Sequence, residues 1–172
     1  MKVCKFEKIK DEDEMKQVIN CIQKEHPYVA VVPILAQLQE WLQAISISWF
    51  HEEDEVSHTT VNAIEAYCCT LANHLITDSH LNQEIKNRIL ECIKKIHILV
   101  EDKADLLIDK MIKAEVYGLS SDLFTYCLRQ QGLRAQTLDT GKLIQINLER
   151  KPDISQQACL LQINHSSSFG CL

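Results

Sequence analysis

Apolar residues along this chain recur at two spacings, and the switches between them mark out its elements. Lys2 to Phe6 forms a short β-prone run, and the acidic stretch Asp11 to Glu14 after it suits the positive end of a helix dipole. Met15, Val18, Ile19 and Ile22 then fall on one helical face, and His26-Pro27 predicts the stop, because the residue before proline disfavours helical geometry. Tyr28-Val29-Ala30-Val31-Val32 is a continuous β-prone run of the kind found in a sheet covered on both faces. Strand, helix and strand in this order predict a parallel βαβ unit.

Four longer helical patterns follow. Leu35, Leu38, Leu42, Ile45 and Trp49 step by three and four, as do Val61, Ile64, Cys68, Leu71 and Leu75 beyond an acidic link, His51 to Glu55. The third pattern runs from about Ser79 to Val100 through Leu81, Ile85, Ile89, Ile93 and Ile96, with Asp78 or Ser79 as its N-cap. The fourth uses Leu106, Leu107, Met111 and Ile112. A shorter helix is expected from Ser120 or Ser121, burying Leu123, Phe124, Cys127 and Leu128 and stopping at Gly132, a residue suited to the C′ position. Arg134 to Leu138 and Leu143 to Leu148 are β-prone and flank the turn signal Asp139-Thr140-Gly141-Lys142. After Pro152 the apolar residues lose a clear period and sit between Gln156-Gln157 and Ser166-Ser167-Ser168, so residues 153–172 are expected to form a loosely held tail.

Composition narrows the classes this chain can join. A length of 172 residues with 46% hydrophobic content supports one domain with a real core. A formal charge of −6 without any Lys/Arg cluster argues against nucleic acid and anionic membrane as partners. The longest apolar run, Val29 to Leu35, is too short to span a bilayer, and the first residues lack a signal peptide's apolar stretch, so a cytoplasmic location is expected. Eight irregularly spaced cysteines (4, 21, 68, 69, 92, 127, 159 and 171) then read as reduced thiols on apolar faces.

In this order, several segments resemble aspartokinases. Lys2-Val3-Cys4-Lys5-Phe6 is similar to that family's first strand, K-V-x-K-F-G-G-T-S, and Val29 to Val32 to its second. Tyr117-Gly118-Leu119-Ser120-Ser121-Asp122-Leu123-Phe124 resembles the G-E-x-x-S-S segment. Gln131-Gly132-Leu133-Arg134-Ala135 with Leu138-Asp139 resembles the turn into the next strand. The resemblance covers about residues 1–153. It implies an α/β fold, a small mostly parallel sheet with a large helical layer, like the N-terminal lobe of the amino acid kinase (carbamate kinase-like) fold, over residues 1–152. Family members bind Mg-ATP and L-aspartate and phosphorylate the β-carboxylate.

The residues that such chemistry needs are largely replaced. Main-chain amides approach phosphate oxygens closely where no Cβ intervenes, yet none of the four glycines precedes Gly118. Glu7-Lys8-Ile9-Lys10 stands where the family has G-G-T-S, and Pro33-Ile34-Leu35-Ala36-Gln37-Leu38-Gln39 where it has S-A-x-x-G-x-T. The glutamate that follows glycine in the third motif is missing, and Ile146-Asn147 stands where Thr-Asp is common. The chain also ends before the half that would hold the nucleotide. Lys5 alone matches a phosphate-contacting residue cleanly, with Ser120 and Ser121 as partial matches to substrate-binding positions; a strand-end lysine also serves solubility, and the serines suffice as helix caps.

No metal site is expected. Cys21/His26, Cys69/His74 and Cys92/His97 share a five-residue spacing that turns through about 500° on a helix, so each pair diverges by about 140°. His51-Glu52-Glu53-Asp54-Glu55 lacks the second histidine of a zinc-protease helix and reads as a solvated interhelical link, and Trp41, Trp49 and Phe50 read as core or interface packing, with a binding surface as the alternative. The expectation is a non-catalytic, truncated or degenerate aspartokinase-like pseudoenzyme that binds neither ATP nor Mg. The alternatives are an interaction module, self-associating or partner-bound over an apolar sheet edge left exposed, and a kinase half completed in trans by a partner chain.

Overall fold

In the computed structural model, which describes residues 2–7, 9–27, 29–102, 107–138 and 159–164, the first crossover forms where its start and stop signals lie. Strand β1 (Val3–Lys5) and strand β2 (Val29–Val32) are parallel neighbours linked through helix α1 (Glu12–Glu25). Asp11 caps α1 by accepting the Glu14 N–H at 2.9 Å. His26 ends it in the left-handed region at φ 44°, a conformation histidine tolerates better than most residues. Met15, Val18, Ile19 and Ile22 are buried, as their spacing predicts.

The helical layer consists of α2 (Ala36–Phe50), α3 (Asp54–Leu75), α4 (Ser79–Glu101) and α5 (Ile108–Gln130). Short links make consecutive helices antiparallel hairpins. Leu38, Leu42 and Ile45 of α2, Val61, Ile64, Cys68 and Leu71 of α3, and Ile85, Ile89, Ile93 and Ile96 of α4 join one apolar core. Asp54 and Glu55, expected in a link, instead form the first turn of α3, where the dipole favours carboxylates. Asp78 is the N-cap of α4 and accepts the Leu81 N–H at 2.9 Å.

The largest departure among the helices is α5, one continuous helix where two were expected. Ile112, Val116, Leu119, Leu123, Phe124, Cys127 and Leu128 form an unbroken buried stripe through Gly118. A mid-helix glycine costs about 1 kcal/mol, less than burying this stripe gains. Ser120 and Ser121 are therefore interior helix residues, 0% and 1% exposed, and their expected role as caps is incorrect. Leu107 and Met111 are also corrected from core to exposed surface, because the buried stripe passes instead through Ile108 and Ile112. The stop is as expected: Gly132 takes φ 79°, its N–H bonds the Arg129 carbonyl at 2.9 Å, and the Leu133 N–H bonds the Leu128 carbonyl at 3.1 Å. That pair of bonds is a Schellman cap.

The sheet completes an α/β arrangement, with the order β1-β2-β4-β3, where β3 is Arg134–Leu138 and β4 is Cys159–Asn164. Among the described strands, β1 and β2 pair in parallel, and β4 pairs antiparallel with both β2 and β3. The expected mostly parallel sheet is thus a mixed one. The expectation of a loosely held tail fails at residues 159–164, since Cys159-Leu160-Leu161-Gln162-Ile163-Asn164 is hydrogen-bonded on both sides between β2 and β3. The predicted strand at 143–148 lies outside the described residues. Helix α5 packs on β3 and β4 and reaches α1, tying the helical layer to the sheet. Among the described residues, no helix is long and apolar enough to cross a membrane.

Candidate functional site

The segment after β1 is where a kinase of the resembling family would present bare main chain to phosphate. Here it turns a side chain inward. Ile9 is completely buried and forms an isolated parallel bridge with Leu35, which is 1% exposed. The Ile9 carbonyl accepts the Ala36 N–H at 2.9 Å, so it occupies a donor at the start of α2. The Phe6 N–H bonds the Val31 carbonyl at 2.9 Å, which continues the β1–β2 ladder into this segment.

The start of α1 is closed by carboxylates. Glu14 reaches back to accept the Lys10 N–H at 2.7 Å, while Asp11 takes the Glu14 N–H. Together they resemble a capping box, which satisfies two of the donors an anion could otherwise use. Glu12 and Asp13 add two further acidic groups to the same turn. Glu12 also bonds Lys16 at 2.7 Å and His74 of α3 at 3.0 Å. The lysine hydrogen bond first, and the histidine second, hold its carboxyl below the usual carboxylate range. A polyphosphate approaching this turn would meet four carboxylates, Asp11 to Glu14, at the start of α1.

The three residues named from sequence are not assembled into a site. Lys5 lies exposed at the end of β1, opposite Val31. Ser120 and Ser121 are enclosed in α5, and neither hydroxyl has a hydrogen-bond partner among the described residues. A surface depression of about 470 Å³ beside the start of β3 is lined by Arg129, Gly132, Leu133, Arg134, Ala135 and Gln136, and includes none of the three. Its Arg129 is already engaged, donating through Nε to the Ala135 carbonyl at 3.0 Å and lying 5.0 Å above the Tyr126 ring.

Sequence reasoning missed a contact between two histidines on neighbouring helices. His58 of α3 and His97 of α4 stack with ring centroids 4.9 Å apart, and their Nδ1 atoms are 2.7 Å apart. One ring must donate and the other accept, so the contact requires at least one neutral Nδ1. His97 Nε2 lies 3.1 Å from Asn62 Oδ1, and His58 Nε2 lies 3.8 Å from Glu101. Burial, then the neighbouring His58 ring, pushes His97 below the ordinary histidine value, against an opposing pull from Glu65 and Glu101. No local motif signals this pair, because it arises only from the antiparallel register of α3 and α4.

Two further sequence readings concern metal and thiols. Among the described residues, no group of three or more His, Cys, Asp or Glu side chains could hold a metal ion. Cys4, Cys21, Cys68, Cys69, Cys92 and Cys127 are free thiols. Burial pushes Cys92 and Cys127 up to about 12 and raises Cys68 further, which keeps these sulfurs protonated and unreactive at neutral pH.

Comparison with known proteins returned no matching family model, no similar curated protein and no similar solved structure.

Proposed function

We propose that this chain is a non-catalytic protein resembling aspartokinases, in which the fold persists without phosphoryl transfer. The observation that carries this reading is the occupied turn after β1, where the Ile9 side chain fills the interior and Glu14 takes the Lys10 amide. Phosphoryl transfer depends on positioned donors and cations around the transferring group. At this turn the Lys10 and Glu14 amides are engaged and the local charge has the wrong sign. The candidate substrate contacts, Ser120 and Ser121, are buried inside a helix and have no opening to aspartate. The residues present therefore do not fit Mg-ATP.

Completion of a kinase by a partner chain is disfavoured on the same ground, since Ile9 and Glu14 belong to this chain and would remain in place. The expected result for the purified protein is no aspartate-dependent ATP turnover and no rise in melting temperature with Mg-ATP. A saturable rise in melting temperature, or turnover that requires aspartate, would remove the proposal.

A further inference from the structure

The end of the helical layer remote from the sheet carries an unusual concentration of exposed apolar side chains. Among the described residues, Ile47 and Phe50 close α2, Val56 opens α3, Ile98 lies near the end of α4, and Leu107 and Met111 flank the start of α5, all of them exposed. Phe50, at 77% exposure, is the most prominent. The antiparallel run of α2 to α5 brings these four helix ends to one side, and polar contacts join them in pairs. Ser48 meets Ser57 at 2.7 Å across α2 and α3, His58 meets His97 across α3 and α4, and Ser46 bonds Asp109 across α2 and α5. The opposite end is tied separately: the Gln130 side chain accepts the Asp78 N–H at 3.0 Å and donates to the Leu75 carbonyl at 2.8 Å, just before the chain enters β3.

Charge at this apolar end is predominantly acidic. Glu52, Glu53, Asp54, Glu55, Glu101 and Asp102 are exposed there, with Glu101 3.8 Å from His58 Nε2, and of the cations nearby in sequence, Lys103, Lys110 and Lys113, Lys113 is paired with Asp109 at 2.6 Å. An apolar centre with an anionic rim complements a helix that carries leucine-like residues on one face and lysine or arginine along its edges. A second copy of this chain is the poorer occupant, because it would set one carboxylate rim against another on molecules of charge −6. We propose that the far ends of α2 to α5 form a docking surface for a cationic amphipathic helix of a partner protein. This inference does not depend on whether the turn after β1 binds nucleotide.

The test uses the full chain and a fluorescent peptide of about 18 residues, five helical turns, built from leucine and lysine with one apolar face. A scrambled peptide of identical composition serves as the control for charge alone. The amphipathic peptide is expected to bind about tenfold more tightly or better than the scrambled one. Phe50→Ser with Ile98→Ser should remove that preference without moving the melting temperature, since both side chains are exposed. Glu52→Gln, Glu53→Gln and Glu55→Gln together should weaken binding and flatten its salt dependence. Equal affinity for the two peptides, or an unchanged preference in the serine variant, would overturn the proposal. So would sedimentation showing a wild-type dimer that the serine variant converts to monomer, because the surface would then belong to a second copy.

Discussion

The turn after β1 and the far ends of α2 to α5 treat their side chains in opposite ways. At the turn, where a phosphate-binding protein leaves main chain bare, this chain buries Ile9 and closes its amides with carbonyl and carboxylate groups. At the far end, where an isolated helical layer gains by covering apolar residues, it leaves Phe50 and Ile98 in solvent. Both regions are acidic, but the acids do different things: Asp11 and Glu14 cap a helix, whereas Glu52 to Glu55 and Glu101 surround apolar surface. Closure at one place and exposure at the other suggest that the turn contributes stability and the far end contributes contact.

Substitutions can break this contrast in order of expected size. Phe124→Ala, at a fully buried position in α5, should cost about 3–5 kcal/mol, while Phe50→Ala should stay within about 0.5 kcal/mol. Denaturant unfolding of the two variants checks this, and equal losses would mean that Phe50 is covered in the folded protein. Ile9→Ala should cost about 2–4 kcal/mol, an amount expected of a core residue and not of a loop. It should also leave the protein without Mg-ATP affinity, because the carboxylates at the start of α1 remain; a melting-temperature rise with nucleotide in this variant would show that Ile9 alone closes the turn.

Ser120→Ala and Ser121→Ala test α5 by their sign. Capping serines would lose about 1 kcal/mol on this change, whereas buried mid-helix serines without partners should be neutral or gain up to about 1 kcal/mol. Urea midpoints distinguish the two outcomes.

The smallest effect concerns His58 and His97. The His97 pKa is depressed in the folded protein, so the unfolded chain takes up its proton first as pH falls. This contribution to stability is full above the ordinary value of 6.5, declines as pH drops below it, and stops changing once pH lies below the folded value. The Glu12 contribution has its own window: a carboxyl held below its ordinary 4.5 favours the folded state above that pH and is lost as pH falls through the folded value. Stability measured between pH 7 and pH 5 should therefore decline, and His97→Asn should flatten the decline there while leaving the acid limb in place.

Local signals made much of the fold legible. Asp11, His26-Pro27, Asp78 and Gly132 each carry a conformational preference that acts within a few residues, and each marks a real helix boundary. Tertiary packing decided the rest. Gly118 and Ser120-Ser121 look like a break, but the stripe from Ile112 to Leu128 passes through them because burial outweighs local propensity. Likewise the weak apolar run at 159–164 became a central strand only because β2 and β3 offer it partners on both sides. For the candidate site, the missing glycines were plain in the sequence, but that Ile9 would fill the space and Glu14 would take the amide depends on contacts made after folding.

At residues 9–10 the Ile9 carbonyl accepts the Ala36 N–H and the Lys10 N–H is held by Glu14, so the proposed loss of nucleotide binding is tested most directly at this turn. Amide resonances of Ile9, Lys10 and Glu14, followed by heteronuclear NMR during a Mg-ATP titration, report on it directly. They should stay fixed at millimolar nucleotide, whereas a saturable shift confined to those amides would contradict the account.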